Sequence, residues 1–485
     1  MEDFIVSLML LGAMSTGGGL PFWAAANRYG LMPEGNGFLS TVGAYTQYDE
    51  SKTFQWKWGV SIGESYDFQQ QTSRFLPDEL YASAKWNVFS LDLGMKHHKS
   101  DYLAPGLRLG DNNSLGSLST TGGNIIWSGN SRAFPGYTIN LDPVAIPFTG
   151  NHLSIYGAFG DYATFDNRWC KGALIHNTKV ALKLNFLEHW EFHFGLDHYA
   201  MWGGTCPDGS ANVRLTFENY CRMVLGMHAG DDGTFSDRMN VIGDQGGGEF
   251  LTLEYSNDDF RFSAKHDIPY SDGSGMGFQN FPDGVNTLFF GFADKDRWVS
   301  DILYEYIYTM YQSGPLHFES FDEDGNSTTP PGSCTTGMDN YFNNGEYRSG
   351  WTYYGRTIGL PLFYPNAPDE SGITLGVRNN RLKAHHIGLA GKLFRKAPYK
   401  LMLTYSKNYG TYSEPYTGEC AAQKPWGSVV ETPFRQISAA FTGEVPVPVR
   451  NGHQIDILYG IYADKGQVLE DNAGFTLGLR YFFCR

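Results

Sequence analysis

The chain is short of charge, of cysteine and of uninterrupted apolar runs, and each shortage excludes a class of protein. Charged side chains make up 18% of its 485 residues, where about 25% is usual for a soluble domain. The 36 basic residues face 51 acidic ones, a net charge of −15. That balance repels a phosphate backbone and excludes nucleic acid as the main partner. The six cysteines (Cys170, Cys206, Cys221, Cys334, Cys420, Cys484) are too few for a disulfide scaffold, and no CxxC or zinc-type Cys/His spacing occurs. Disulfides remain compatible with a place outside the cytosol, with every pairing open.

A spanning helix is missing too. Residues 4–27 carry no charge, a length of ~20 that would cross a bilayer as a helix. Only Phe4 to Met14 is strongly apolar, however, and Ser15, Thr16, Gly17, Gly18, Gly19 and Pro21 would break a helix midway. Glu2 and Asp3 stand where a signal peptide has its basic region. Residues 1–30 therefore read as a first strand or its lead-in, with an export signal removed, replaced or lost through a misplaced start.

What the chain does have is aromatic residues (15%), 59 glycines and strict apolar–polar alternation in runs of about ten residues. Phe54, Trp56, Trp58, Val60 and Ile62 alternate with Gln55, Lys57, Gly59 and Ser61. Val180, Leu182, Leu184 and Phe186 alternate with Lys179, Ala181, Lys183 and Asn185; past a turn near Glu188 the pattern resumes as Trp190, Phe192, Phe194 and Leu196. Phe475, Leu477, Leu479, Tyr481 and Phe483 form another run. Side chains alternate across a strand, so each run has one greasy and one wet face.

The connections separate a membrane barrel from a sandwich. Short turns are expected at Trp86-Asn87, Leu187–His189, Ser256–Asp259, Asp294–Asp296, Arg395–Pro398 and Arg450–Gly452, and long polar loops near 98–150, 199–248, 266–286, 311–371 and 406–434. Short turns at one end and long loops at the other mark a transmembrane β-barrel of the bacterial outer membrane. In hydrocarbon every backbone polar group must be paired, so the sheet has to close. Tyr304, Tyr306, Tyr308, Trp56 and Trp58 suit interfacial girdles. A spanning strand takes ~9 to 11 residues, so the chain accommodates about 18 antiparallel strands, with 16 or 20 as alternatives, in one barrel over residues 1–485. The inward-facing candidates Lys57, Arg261, Lys265 and Arg480 point to a lumen partly filled by side chains and long extracellular loops.

Several stretches resemble the capsule assembly Wzi family of outer-membrane proteins in its Bacteroides-like form. They are Pro21-Phe22-Trp23 with Asn27-Arg28-Tyr29-Gly30; Ser128-Gly129-Asn130 with Arg132 and Pro135; and Pro147-Phe148 leading to Asp166-Asn167-Arg168-Trp169. Further on come Trp202-Gly203-Gly204 and the run from Asp339 to Asn344 that continues from Tyr347 to Arg356. The resemblance implies an 18-stranded barrel acting as an outer-membrane lectin that holds capsular polysaccharide on the surface of a Gram-negative cell. It supplies no ligand set to carry over by position, and the chain departs from the enterobacterial form in having no obvious helical segment before the first strand.

Sugars are bound by aromatic faces and by Asp, Asn and Arg groups that pair with hydroxyls or carboxylates. Asn340, Tyr341, Trp351, Tyr354 and Arg356 are the candidates for polysaccharide contact; the competing reading is that they knit a loop to the inside of the barrel. His189, Glu191 and His193 share a strand face, but at ~6 to 7 Å spacing they do not converge on one ion, so no metal and no other cofactor is expected. His98 and Ser100 form the one enzyme-like pair. Gly246–Gly248 and the string from Gly273 to Gly277 read as flexible loops, and the acidic stretch Glu319–Asp324 as a solvated loop without EF-hand spacing. The expected function is a non-catalytic outer-membrane lectin, with a sugar channel as runner-up and a lipid hydrolase using His98 and Ser100 as the third reading. The expected partners are exported polysaccharide and outer-membrane lipid, with polysaccharide export machinery an open candidate.

Overall fold

A computed structural model describes residues 4–97, 115–121, 124–210, 214–231, 233, 234, 237, 238, 241–271, 277–314, 339–418, 430–449 and 453–484. The strands are β1 Phe4–Ser15, β2 Gly37–Thr46, β3 Phe54–Asp67, β4 Thr72–Trp86, β5 Phe89–Met95, β6 Pro135–Ala145, β7 Leu153–Ala163, β8 Leu174–Leu187, β9 Trp190–Trp202, β10 Asp244–Ser256, β11 Phe260–Ser271, β12 Gly284–Phe292, β13 Asp301–Tyr308, β14 Thr352–Tyr353, β15 Arg356–Thr357, β16 Leu382–Leu393, β17 Ala397–Asn408, β18 Phe434–Pro448, β19 His453–Gly466 and β20 Asn472–Cys484. Short helices join them, among the described residues α1 Phe22–Ala25, α2 Leu115–Leu118 and α3 Phe217–Val224. All strands except the β14–β15 hairpin form one 18-stranded sheet. It closes where β1 pairs antiparallel with β20, from Ile5↔Cys484 to Ser15↔Gly474.

Alternation along each strand produces the wall. Leu80 and Ile461 are each 64% exposed on the outer face, whereas inward-facing Asp456, Thr404 and Ser438 are at most 2% exposed. Left in water, each outer leucine or isoleucine would forgo roughly 1.5–3 kcal/mol of burial. Acyl chains provide that burial, and the closed ladder leaves no unpaired edge in them. The chain is therefore a membrane-spanning, closed antiparallel barrel. A concavity of about 560 Å³ on this wall, among Leu8, Leu10, Val42 and Phe75, faces lipid.

The start of β1, the end of β20 and the tight turns at Asn87 (φ 53°) and His189 (φ 72°) share one rim. The described residues of segments 16–36, 96–134, 203–243, 309–381 and 409–433 connect strands at the other, the outer rim of such barrels. Two expectations need correcting. The stretch 98–150 is not one loop, since β6 spans the wall inside it. Pro135, Pro143 and a register shift between Leu141 and Val144 hide its alternation. Gly246–Gly248 is not a flexible loop either: these residues lie within β10, where a Cβ on Gly247 would strike the Tyr270 hydroxyl and one on Gly248 the Asp267 carboxylate. Strand tips such as Tyr199–Trp202 also lose alternation because both faces are covered. The plug packs inside, and Met223, Ala229 and Ile242 cover Ala200 and Trp202.

Loops from the outer rim fold inward as a packed plug. Phe22, Trp23, Trp127, Phe134, Tyr341, Trp351 and Phe363 form one buried cluster with the wall residues Tyr199, Ile307, Leu382 and Met402. Buried carboxylates fix it. Glu305 of β13 accepts from Ser119 Oγ, Thr120 N and Thr120 Oγ1, each at 2.7 Å. Asp283, between β11 and β12, accepts from the amides of Tyr311 and Gln312 at 2.8 Å and from Tyr341 Oη at 2.9 Å.

Burial pushes the Asp283 carboxyl up to about 7 against the pull of those donors. A folded-state value above the unfolded one means a contribution to docking that is full below about pH 4 and lost as pH rises through 7. Plug release on heating in detergent should therefore begin at a higher temperature at about pH 5 than at about pH 8, and Asp283→Asn should remove the part of that difference due to this group. An unchanged difference in the variant would refute the assignment.

Candidate functional site

Several of the stretches that carried the resemblance meet in the plug, while Pro147-Phe148 lies in the β6–β7 turn at the opposite rim, where Phe148 is exposed. Asn130 Nδ2 donates to the carbonyl and hydroxyl of Thr357 at 3.0 and 2.9 Å, and its Oδ1 accepts from Asn27 N at 3.2 Å. Ser128 Oγ donates to the Gly359 carbonyl at 2.8 Å, and Tyr29 N to the Gly129 carbonyl at 2.7 Å. Arg168, 1% exposed, ties Asp166 to the Gly350 and Thr352 carbonyls. These segments thus position the β14–β15 hairpin.

That hairpin turns through Tyr354 (φ 49°) and Gly355 (φ 75°), the paired positive angles of a type I′ turn, which favour glycine at the second position. The turn leaves Tyr354 42% exposed and places Arg356 beside the C-terminal end of α1, where Nη1 donates to the Ala25 carbonyl at 3.4 Å. At the other end of α1, Phe22 N donates to Asp464 Oδ2 at 2.7 Å. Between hairpin, helix and wall lies a cleft of about 440 Å³ lined by Arg74, Asn130, Tyr354, Arg356, Tyr364, Asp464 and Glu470, with apolar surface from Leu20, Pro361 and Pro365.

Arg74 and Arg356 line the cleft together with Glu34, Asp464 and Glu470, and Arg132 stands next to it. Arg132 lies over the Tyr354 ring at 4.1 Å, and its Nε is buried without a partner. Arg74 pairs with Glu34 at 3.4 Å. Burial, and then the Arg74 charge, push Arg356 down to about 10, with Arg132 adding to the effect and Glu34 opposing it. The guanidinium is crowded by its own kind.

The five sequence candidates divide. Tyr354 and Arg356 line the cleft. Asn340 (φ 49°) accepts from Asn380 and Asn343 at 2.7 and 3.1 Å and braces the plug. Tyr341 and Trp351, expected as contacts, are 3% and 2% exposed inside the plug, so they support the hairpin from beneath rather than face a polymer. Arg74, Tyr364 and Asp464 are additions that the sequence did not single out. Each reads there as one more polar or aromatic residue in a strand or loop.

The other constellations resolve as follows. Glu191 and His193 come within 4.8 Å of Glu254 on the neighbouring strand, without His189. Lys183 holds Glu191 at 2.6 Å and Arg261 holds Glu254 at 2.8 Å, so the carboxylates are already neutralised by cations. Lys265 and Arg480, expected in the lumen, face Asp267 at 3.2 Å and Asp456 at 2.9 Å, and Lys57 lies over the Tyr48 ring at 4.3 Å. Cys170 is bonded to Cys206, and Cys221 is a free thiol. His98, Ser100, Cys334, Cys420, residues 319–324 and residues 273–276 lie outside the described residues.

No family model matches the sequence, and no curated protein matches it. Among solved structures the chain is similar to Wzi of Escherichia coli, an outer membrane protein involved in group 1 capsule assembly and a carbohydrate-binding β-barrel. The identity is 12% over 98% of this chain and 83% of that one, with a TM-score of 0.49. It is similar also to OccK3 (OpdO) of Pseudomonas aeruginosa, at 9% identity over 100% and 96% with a TM-score of 0.48, and to the outer membrane protein opdK of that organism, at 8% over 100% and 99% with a TM-score of 0.45. The closed antiparallel barrel stands on the strand pairing of the chain itself.

Proposed function

We propose that the protein is a non-catalytic lectin of the Gram-negative outer membrane, which holds exported, capsule-type polysaccharide in the cleft at the outer rim. The observation that carries this reading is the pairing of that cleft with the plug beneath it. An open concavity with a tyrosine face, guanidinium groups and amide and carboxylate oxygens is the donor set that sugars require. A lumen packed with aromatic side chains favours retention over passage. Outer-membrane lipid surrounds the wall, and the polysaccharide export machinery is the natural source of the ligand.

The test is a mutant lacking the protein, compared with its parent for cell-bound and shed polysaccharide, together with pull-down of that polysaccharide by protein purified in detergent. Increased shedding and direct capture are expected. A large, steady conductance in planar bilayers without capture would replace the lectin by the channel, and labelling by a fluorophosphonate probe would favour the hydrolase.

A further inference from the structure

Along β7 to β10 the outer face of the wall turns polar before it reaches the rim. Followed at the two-residue period of a strand, the exposed residues Ile155, Val180, Leu196 and Leu251 lead toward the outer rim to Asp161, His176, His198 and Gln245 on the same face. His176 Nδ1 meets Asp161 Oδ1 at 2.9 Å, and His198 Nε2 meets Gln245 Oε1 at 3.0 Å. Such groups are costly against acyl chains, yet they sit on the lipid side of the wall. They are tolerated there because His176, His198 and Gln245 are buried.

Their cover is α3, laid on the outside of the barrel. Tyr220 Oη donates to Asp161 Oδ2 at 2.8 Å, and the Tyr220 ring lies 5.8 Å from that of His176 and 5.6 Å from that of Trp202. Gln245 Nε2 donates to the carbonyls of Met223 and Ile242 at 3.3 and 2.9 Å. The loop is clamped at its root by the Cys170–Cys206 disulfide and the backbone bridge between Lys171 and Thr205. The side chains it turns away from the wall are apolar: Phe217 is 82% exposed, Leu225 70% and Leu215 62%, with Met227 exposed as well. An apolar patch of this kind on a rigidly held element marks an interaction surface. It carries on, beyond the polar row, the lipid-facing band of Val180, Phe194 and Leu196.

We propose that α3 and its flanks are a lipid anchor on the outside of the barrel: Phe217, Leu225, Leu215 and Met227 dip among the acyl chains of the outer leaflet, while Arg214 and the Arg222–Glu218 pair stay at headgroup level. Continuity with the lipid-facing wall decides for lipid over a second protein chain. The helix thus replaces with its own outer side the greasy band that the strands lack at Asp161, His176 and His198. The inference is independent of the lectin reading.

The experiment uses the full chain in phosphatidylcholine nanodiscs with p-benzoylphenylalanine in place of Phe217. The same photoreactive residue at Val180 of the wall serves as the lipid reference, and at Glu370, exposed on an outer-rim loop, as the water reference. On irradiation position 217 should acquire phosphatidylcholine in a yield comparable to position 180 and well above position 370, read by mass spectrometry. In a second measurement Phe217→Ser combined with Leu225→Ser should speed tryptic cleavage after Arg222 at least about tenfold over the parent, because two buried anchors are lost. Heat-modifiable migration on gels verifies that this variant remains a folded barrel, and the photochemical arm stands without it. Crosslinks from position 217 to a second copy of the chain, or a lipid yield no higher than at position 370, would overturn the proposal. Equal cleavage rates of parent and folded variant would do the same.

Discussion

Glu305→Ala should loosen the plug and raise the conductance of the barrel in a planar bilayer. Glu305 is fully buried and sits on the wall, while three of its hydrogen bonds come from the inserted turn at Ser119 and Thr120 and a fourth, at 3.2 Å, from Thr287 of β12. Hydrogen bonds to a charged group contribute roughly 1.5–3 kcal/mol each. Removing the acceptor also takes away the partner of the buried Thr120 amide and of the Thr120 and Thr287 hydroxyls, while the Ser119 hydroxyl keeps its contact with Thr121 at 3.0 Å. Because the contributions are not independent, we expect a loss of about 3–5 kcal/mol in docking of this turn. The turn would still be held by the His386 ring, which meets the Leu118 carbonyl at 2.7 Å, and by Asn27 Nδ2, which donates to the Thr120 carbonyl at 3.0 Å. Glu305→Gln keeps the shape but turns an amide toward groups that are themselves donors, so it should open the barrel less than alanine and more than the parent. Equal conductance of parent and both variants, with unchanged protease resistance near residue 118, would show that the carboxylate does not hold the plug.

How much of this was legible in the sequence follows from which interactions have a period. The wall was readable because lipid on one side and a wet or packed lumen on the other impose a two-residue repeat, as in Phe54 to Ile62 and Phe475 to Phe483. The repeat failed where both faces touch protein, at Tyr199–Trp202, and where proline and a bulge interrupt it, in β6. The plug has no repeat. Its contacts join residues such as Asn27 with Asn130 and Ser128 with Gly359, separated by 103 and 231 positions, and nothing local announces such pairs. The cleft was half legible for the same reason. Tyr354 and Arg356 stand in a dense polar-aromatic run that draws attention, whereas Asp464 is an ordinary inward-facing strand residue until α1 is laid against it.

Trp351 and Arg356 lie five positions apart in that run and should fail in opposite ways. Trp351 is among the largest fully buried side chains, 2% exposed, in ring contact with Tyr199 of the wall at 6.3 Å, and its amide donates to the Phe342 carbonyl at 3.1 Å. Truncation to alanine removes a full indole from a packed cluster and leaves a cavity, a change that costs about 3–5 kcal/mol. Trp351→Ala should therefore lower the temperature at which the plug is released, and it should weaken polysaccharide capture only because the hairpin above it loses its support. Arg356 is half-buried, makes one long bond and is crowded by Arg74 and Arg132. Arg356→Gln relieves that repulsion, so release should occur at the parent's temperature or slightly above it while capture falls by about tenfold, the loss of one charge-assisted contact. Both quantities come from the same detergent-purified samples, by heat-modifiable migration and by pull-down. If Trp351→Ala abolished capture with the plug still docked at the parent's temperature, the indole would itself be a sugar contact and the cleft would extend into what is here the packed interior. If Arg356→Gln captured polysaccharide like the parent, the binding site would lie elsewhere on the outer rim.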